Sequence, residues 1–248
     1  MNMKLAIAPI LLLAALASKP ASAQITMGDL TKEQRDSIIF AFPSCTPGTV
    51  YMNDGSIAKV DLNYNYYEPQ VLFRNEDPTS PEDTLRRLDN MENVILIEIG
   101  DRSFVPVLGS GLGEIILNNQ QVSVVMTKKV NIEEKKTGAY GTGGSTSSIR
   151  SVSSFTGTSG VTSGGSYTGQ TSFTNVNYDF ASNAELTIDQ RLFLMKDGKV
   201  VPVSKKNLAK MFPKAASFIK QYIDEQKPDL ENPEEVINLV NLANANNK

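Results

Sequence analysis

The segment GTVYMNDGSIAKVDLNYNYY, residues 48–67, decides the fold of this chain. Its centre, Asn53-Asp54-Gly55, is typical of a tight β-hairpin turn, because Asp and Gly readily adopt the backbone conformations that such turns need. After the turn, apolar or aromatic side chains alternate with polar ones, which is the period of a strand with one buried face. The apolar set is Val60, Leu62, Tyr64 and Tyr66. The segment therefore predicts an antiparallel hairpin.

Similar short segments of β-forming residues follow along the chain. We predict further strands at residues 70–74, 93–100, 102–108, 113–119, 120–134, 184–195 and 199–204. Turn residues such as Gly100-Asp101 and Asp197-Gly198 separate successive segments, so neighbouring strands are expected to pair antiparallel. The polar residues 75–93 stay open between a helix beginning near Ser80 and an edge strand in TLRRLDN.

The last part of the chain changes to a helical pattern. Ser204 can cap a helix, which Pro213 interrupts, and apolar residues then continue at spacings of three and four. Asn232, followed by a proline, marks the start of a second helical segment. A shorter helix is expected between Asp29 and Phe42. The predicted fold is α+β and mainly β: an antiparallel meander sheet, or a small sandwich or roll, with a C-terminal pair of helices.

The N-terminus has the features of a secretory signal. Lys4 precedes a mostly apolar run over residues 5–17, and Ala21 and Ala23 supply small residues at the −3 and −1 positions of a signal-peptidase site. The apolar run is shorter than the roughly 20 residues that a membrane-spanning helix needs. We therefore predict cleavage after Ala23, a periplasmic or secreted location, and no transmembrane span after cleavage.

These patterns divide the chain into five parts. Residues 1–23 are the signal peptide, and residues 24–136 form an antiparallel β domain with a short N-terminal helix. Residues 137–172 form a flexible excursion rich in Gly, Ser and Thr. Residues 173–203 form a β-hairpin that returns to the sheet, and residues 204–248 form the C-terminal helices.

The Gly/Ser/Thr tract, residues 137–172, contains 27 such residues among 36. It holds no lysine, so it lacks the Lys and hydroxyl pair that a phosphate-binding P-loop requires. Its composition favours a flexible excursion, because it can bury little apolar surface to offset the entropy of ordering. The alternative is a surface role through its spaced aromatic residues, Tyr140, Phe155 and Tyr167.

The residue types restrict the chemistry that this chain can perform. No histidine occurs, which removes the commonest general base and zinc ligand. We predict no catalytic residue, no cofactor and no metal site, and we expect the single cysteine, Cys45, to be a buried thiol. The alternative is a hydrolase that works through two carboxylates, for which Glu114, Asp101 and Asp189 are candidates. The acidic residues 76–83 could hold calcium weakly, but a solvated loop is the default.

Charge argues against nucleic acid as a partner. The net charge of the whole chain is −3, and removal of the signal leaves 22 basic and 27 acidic side chains. An acidic protein repels the phosphate backbone. We expect an envelope protein or a polysaccharide as the partner instead.

A possible ligand surface lies at the end of the opening segment. It comprises Asn63, Tyr64, Asn65, Tyr66 and Tyr67. Aromatic faces together with amide groups can bind sugars or partner strands. The alternative is that the alternating tyrosines fill the core of the sheet, where strands favour tyrosine for packing alone.

Three motifs in a fixed order carry a family resemblance. They are the hairpin of residues 48–65 followed by LF, the stretch IGDRSFVPV leading to KKTGAYG, and the tail KKNLAKMFPKAASFIKQYI with NPEEVINLVNLAN. Over residues 48–244 the chain resembles a loosely defined group of bacterial exported proteins. The resemblance implies an exported β-rich domain with a helical tail and no established activity. The expected role is a non-catalytic binding or structural component of the cell envelope, and the alternative is a carboxylate-based hydrolase of envelope glycan.

Overall fold

The computed structural model describes residues 25–74, 85–89, 91–119, 121–136, 144–145, 173–174, 178 and 180–247. The predicted signal peptide, the acidic residues 76–83 and nearly all of the Gly/Ser/Thr tract lie outside the described residues. The expectations for those segments therefore stay predictions.

The strands of the described residues form one antiparallel sheet. Its strands, in chain order, are β1 (Ile25–Thr26), β2 (Thr46–Met52), β3 (Ile57–Asn65), β4 (Gln70–Arg74), β5 (Leu85–Arg87), β6 (Val94–Ile99), β7 (Arg102–Val107), β8 (Gly111–Leu117), β9 (Ser123–Lys136), β10 (Gly144–Ser145), β11 (Phe173–Thr174), β12 (Ala184–Lys196) and β13 (Lys199–Pro202). Neighbouring strands follow the order β1-β12-β9-β8-β7-β6-β2-β3-β4-β5-β11, while β10 pairs with β9 and β13 pairs with β12. The predicted fold class, α+β and mainly β, is confirmed.

The hairpin β2–β3 forms where the opening segment predicts it. Gly55 has a φ of +85°, a conformation that favours glycine. The Asp54 carboxylate accepts a hydrogen bond of 2.8 Å from the Ser56 N–H, which fixes the turn. Val50 pairs with Ala58 across the hairpin. Because β2 also pairs with β6, this hairpin lies in the interior of the sheet.

For residues 75–93 the sequence left a helix and an edge strand as alternatives. Their described part contains a strand. Leu85–Arg87 form β5, and Phe73 of β4 pairs with Arg86 of β5. This favours the edge-strand alternative over the helix for these three residues. The short strand β11 then pairs with β5, so the chain that follows the tract returns to this side of the sheet.

The sheet curls until the end of β3 meets β9. The strands β9, β8, β7, β6, β2 and β3 are successive neighbours. Just beyond β3, the Tyr66 carbonyl oxygen accepts a hydrogen bond of 3.0 Å from the Val130 N–H of β9. This bond joins the two sides of the curl. The curled sheet therefore has an inner face and an outer face.

Apolar side chains form three clusters on these faces. The first core lies on the inner face, and its fully buried members include Val50, Leu62, Tyr64, Ile97, Ile99 and Phe104. The helical core lies between β9, β12 and the C-terminal helices, and includes Val124, Leu194, Leu208, Phe212, Ile219 and Leu239. A smaller cluster on the outer face contains Val105, Val107, Val125 and Phe193. The apolar clusters on the inner face are thus separate from the cluster on the outer face.

Two of the helices begin at Ser204 and Asn232, the capping residues that the sequence indicates. The described helices are α1 (Lys32–Ile39), α2 (Lys205–Met211), α3 (Ala216–Gln226) and α4 (Pro233–Asn246). Thr31 and Gln34 form a capping box at α1, Ser204 accepts a hydrogen bond from the Asn207 N–H at α2, and Asn232 caps α4. The C-terminal region has three described helices rather than a pair, because the chain breaks at Pro213, where a helix would lose a backbone donor.

Gly113 of β8 should not tolerate a side chain. A Cβ at this position would lie 2.4 Å from Cγ1 of Val125 and 2.9 Å from Cγ2 of Val107, within the outer cluster. Because overpacking forces neighbouring side chains or backbone to shift, Gly113→Ala should lower the free energy of unfolding by about 1–3 kcal/mol in urea denaturation. Thr187→Ala, at an exposed position of β12, is the control and should change it by about 0.5 kcal/mol or less. Equal midpoints for the two variants would contradict this packing.

Candidate functional site

The structure places the predicted ligand surface mostly inside the protein. Tyr64 is 1% exposed, and Asn63, Asn65 and Tyr66 are also buried. Tyr67 is half-buried. These positions favour the core-packing alternative for Tyr64 and Tyr66, so a ligand surface that uses these side chains stays a prediction centred on Tyr67.

Tyr64 and Tyr66 pack against each other at the centre of the first core. Their rings meet edge to face, with centroids 5.3 Å apart. The Leu112 N–H donates a hydrogen bond of 3.0 Å to the Tyr64 hydroxyl oxygen. Burial raises the pKa of Tyr64 to about 12, so its hydroxyl stays neutral at physiological pH. Tyr64 is therefore a structural tyrosine that ties β3 to β8.

Removal of this hydroxyl should be measurable. Tyr64→Phe leaves the buried Leu112 N–H without its acceptor, so the free energy of unfolding should fall by about 1–2 kcal/mol. Tyr51→Phe is a matched control, because the Tyr51 hydroxyl bonds the partly exposed Glu98 and its loss should cost about 0.5 kcal/mol. Urea denaturation of both variants tests this, and equal losses would show that the Leu112 contact has no special weight.

The two asparagines satisfy backbone groups of neighbouring segments. The Asn63 side chain accepts from the Phe42 N–H at 3.1 Å and donates to the Phe42 carbonyl at 2.9 Å. Asn65 accepts from the Tyr67 N–H at 2.9 Å and donates to the Tyr178 hydroxyl at 2.6 Å. Both amides are engaged within the protein, which explains why polar residues are buried here.

An aromatic group that the sequence did not predict surrounds Tyr67. Its ring lies edge to face with Tyr178, at 5.2 Å, and with Phe180, at 5.3 Å. The Tyr178 hydroxyl donates to the Glu68 carboxylate at 3.1 Å, and burial, together with that carboxylate, raises the pKa of Tyr178. Residues just after the Gly/Ser/Thr tract are thus fixed to the end of β3.

Arg102 and Glu114 form an ion pair on the inner face. Arg102 Nε lies 2.7 Å from Glu114 Oε1, and Nη2 lies 2.6 Å from Oε2, so the pair is bidentate. The guanidinium also donates to the Ala41 carbonyl and to the Tyr66 hydroxyl, both at 2.8 Å. Burial opposes the charge on Arg102, but the hydrogen bonds to Glu114 and Tyr66 outweigh it and raise the pKa of the guanidinium.

The Arg102 guanidinium also contacts two aromatic rings. Its central carbon lies 5.0 Å from the Phe42 ring centroid and 5.1 Å from that of Phe104. Such positions are favourable for a cation, because the ring face is electron-rich. Arg102 therefore links β7 to the segment after α1, to β8 and to the end of β3.

Lys128 is the least expected buried residue of the sheet. It lies on β9, is 8% exposed, and its Nζ is 4.5 Å from the Tyr66 ring centroid. Burial, and secondarily the charge of Arg102, lower the pKa of Lys128 to about 8, while Glu114 opposes the shift. We define the polar seam as Tyr66, Arg102, Glu114 and Lys128.

The polar seam lies between the first core and the helical core. On the same face of β9, Met126 packs against the helical core and Val130 belongs to the first core, with Lys128 between them. Ionisable side chains therefore interrupt what would otherwise be a continuous apolar face. Such an arrangement is a candidate functional site, because buried ionisable groups with shifted pKa values are concentrated at such sites.

The shifted pKa of Lys128 predicts a dependence of stability on pH. Between pH 8 and the ordinary lysine pKa of 10.5, the unfolded chain holds a proton that the folded protein has released, so stability rises with pH. Relative to Lys128→Met, the free energy of unfolding of the wild type should rise by about 2 kcal/mol from pH 7 to 9.5. Lys129→Met, at the exposed neighbour on the opposite face, should behave as the wild type. A wild-type curve parallel to that of Lys128→Met would contradict the shift.

The three candidate acids of the hydrolase alternative are not brought together. Glu114 lies on the inner face in its pair with Arg102. Asp189 lies on the outer face of β12, where its carboxylate pairs with Arg191 at 2.8 Å. Asp101 is exposed in the turn between β6 and β7. Glu114 and Asp189 therefore cannot work as one acid and base pair across a shared cleft.

The remaining sequence expectations concern Cys45, metals and membranes. Cys45 is half-buried rather than fully buried, because it lies in the connection before β2, and burial raises the pKa of its thiol. Within the described residues, no group of three or more Cys, Asp or Glu side chains is arranged to hold a metal ion. Among the described helices, none combines the length and apolar character needed to cross a bilayer.

Comparisons with models of protein families, with curated proteins and with solved structures find no match to this chain.

Proposed function

We propose that this protein is an exported component of the cell envelope that binds or organises a partner without chemical turnover. The observation that carries this proposal is the state of Glu114. Both of its carboxylate oxygens accept hydrogen bonds from Arg102, so this side chain is engaged in joining β7 to β8. The best-placed acid of the inner face thus serves to hold the fold.

The architecture also suits a binding role. The curled sheet fixes the end of β3, the segment after α1 and the residues after the tract around a common set of aromatic and amide contacts. Tyr67 keeps a partly exposed ring at this place. A rigid aromatic side chain of this kind can stack on a sugar or an apolar partner side chain without a large loss of conformational entropy. An envelope protein or polysaccharide remains the proposed partner class.

Export and family membership belong to the same proposal. The N-terminal signal pattern supports a periplasmic or secreted location, as does the resemblance of the three ordered motifs to bacterial exported proteins. Cell fractionation and N-terminal sequencing of the purified protein test this directly. A mature chain that begins at Gln24 would support it, and an uncleaved chain in the cytoplasm would overturn it.

The binding role is tested with the mature protein and isolated peptidoglycan sacculi. We expect the protein to sediment with the sacculi and to release no soluble saccharide. The hydrolase alternative predicts release that Glu114→Gln abolishes and Asp189→Asn leaves intact, with circular dichroism showing that both variants are folded. That result would replace the binding proposal. Failure to sediment would remove peptidoglycan as the partner and, together with saccharide release, would overturn the proposed function.

The contribution of the Gly/Ser/Thr tract needs a separate comparison. Deletion of residues 138–172 removes β10 but no residue of β9 or β12. If envelope fractions yield the same partner with and without the tract, the tract acts as a tether. Loss of the partner only after deletion would make the tract the binding surface and would contradict the tether interpretation.

A further inference from the structure

The polar seam has more hydrogen-bond donors than acceptors. The ammonium of Lys128 carries three donors, and none of them has a hydrogen-bond acceptor among the described residues; the contact provided there is the face of Tyr66. The Tyr66 hydroxyl accepts a bond from Arg102, while its own O–H finds no acceptor within the described part of the chain. The Lys128 side chain is mostly buried, but its Nζ is not sealed from solvent. These donors are therefore open to an acceptor from outside the chain.

The polar seam also carries an excess of positive charge. Arg102 and Lys128 are cations at neutral pH, and Glu114 is the carboxylate that faces them. No ion pair joins the Lys128 ammonium to Glu114 or to another carboxylate of the described residues, so this cation has no counter-charge at hydrogen-bonding distance. A buried, unbalanced cation is costly, and an anion beside it would remove most of that cost.

On the same face of the sheet, one strand away, the side chain beside Lys128 is exposed to solvent. Gln190 of β12 is the cross-strand partner of Lys128, so the two side chains lie on one face and about 5 Å apart at their Cβ atoms. Gln190 is exposed, in contrast to Lys128. Only the Gln190 side chain would therefore separate a small ligand in solvent from the polar seam. The Gln190 amide could also contact that ligand.

We propose that the polar seam binds one carboxylate group, which accepts hydrogen bonds from the Lys128 ammonium and the Tyr66 hydroxyl. The carboxylate belongs to a small organic acid or to an acidic sugar, since both present the same planar group with two acceptor oxygens. This inference deepens the proposed binding role and rests on it, because it names the chemistry that the binding site recognises.

A carboxylate fits better than a doubly charged anion or water. The polar seam has one cation in excess, which a single negative charge balances, whereas a dianion would leave a new unpaired charge in a buried place. Water molecules could satisfy the donors but would not balance the charge. Selectivity for a monocarboxylate over inorganic phosphate is therefore part of the proposal.

Calorimetric titration of the mature protein tests the site with three probes at constant ionic strength: acetate, D-glucuronate and inorganic phosphate. We expect saturable binding of acetate or glucuronate at pH 7, with a Kd of about 1 mM for so small a ligand. Acetate binding points to a free organic acid, and binding of glucuronate alone points to an acidic sugar. Phosphate should bind at least about tenfold more weakly, a difference that corresponds to one charge-assisted contact.

Variants on one strand provide the matched comparison. Lys128→Met should weaken carboxylate binding by at least about tenfold, and Tyr66→Phe should weaken it by about three- to tenfold. Lys129→Met changes the neighbouring lysine on the opposite face and should leave the affinity unchanged. Unchanged circular dichroism shows that each variant is folded.

Three results would overturn the inference: no saturable binding of either carboxylate at roughly 20 mM, equal affinity of the wild type and Lys128→Met, or tighter binding of phosphate. These results are distinct from failure of the proposed function. Carboxylate binding by a protein that does not sediment with sacculi keeps the site and removes that partner. Sedimentation without carboxylate binding keeps the envelope role and removes the site.

Discussion

Phe212→Ala is expected to lower the free energy of unfolding by about 3–5 kcal/mol, the range for a large aromatic side chain removed from a core. Phe212 follows α2, is fully buried, and packs in the helical core with residues such as Leu194 of β12 and Leu239 of α4. The side chain therefore touches the layer of helices and the sheet at once. Its removal leaves a cavity between them, which is the source of the expected loss.

The control for this prediction is Phe218→Ala. Phe218 lies on α3, is only partly buried at the edge of the same core, and has Tyr222 as its ring neighbour at 5.9 Å. We expect a loss of about 1 kcal/mol there, because solvent already reaches part of the ring. Urea denaturation measures both. Losses of equal size would contradict the larger contribution expected from the fully buried Phe212.

Glu114→Leu is expected to lower the free energy of unfolding by about 3 kcal/mol, because it leaves the Arg102 guanidinium without its carboxylate. The value lies at the low end for a broken buried pair, since the Arg102 and Glu114 side chains are 26% and 20% exposed and solvent screens part of the charge. Arg102 would keep its bonds to Ala41 and Tyr66 and its contacts with the two phenylalanine rings. Those contacts alone do not balance a charge.

The double variant Arg102→Leu/Glu114→Leu separates the charge from the packing. Replacement of both partners removes the unpaired ion, so the double variant should recover more than half of the loss seen in Glu114→Leu. A double-mutant cycle completed with Arg102→Leu should give a coupling free energy of about 2 kcal/mol or more. Strictly additive losses would show that the two side chains stabilise the fold independently.

Local patterns in the sequence determine most of the fold. The turn at Asp54-Gly55, the alternation in β3 and the capping residue Ser204 each act within a few residues, and the structure forms the predicted elements there. The closure of the sheet does not depend on a local pattern of this sort. The bond between Val130 and Tyr66 joins residues far apart in the chain, and no local pattern encodes it.

The same distinction explains why the polar seam was not predicted. Lys128 and Lys129 are chemically identical neighbours, and alternation along β9 says only that they point to opposite faces. Which of them is buried depends on the register of β9 with β8 and β12 and on the approach of Tyr66. Arg102 and Glu114 likewise meet only because β7 and β8 pair. The residues of the polar seam can therefore be identified from the register of the strands, but not from the composition of the sequence.

In the predicted ligand surface, residues that the sequence pattern places in solvent are buried instead. Polar residues that alternate with apolar ones normally face solvent, yet Asn63 and Asn65 are buried because other parts of the chain cover both faces of β3 at its end. The segment after α1 and Tyr178 cover the face that carries both asparagines, through Phe42 beside Asn63 and Tyr178 beside Asn65. The first core covers the opposite face, which carries Tyr64. Two-sided covering at the end of one strand is a tertiary property, so alternation alone assigns these residues to the wrong environment.

The pairing of β9 with β12 has a consequence for how this protein can diversify. Glu134 and Ala184 are cross-strand partners, and between them β10 pairs with β9 and β11 pairs with β5. Both ends of residues 146–172 are therefore held by the sheet. The free energy of closing such a loop grows only with the logarithm of its length, and a doubling costs about 0.6 kcal/mol. Insertions or foreign peptides placed in the connection between β9 and β12 should therefore be tolerated. This connection is a suitable site for grafting, because the register of the two strands does not depend on its length.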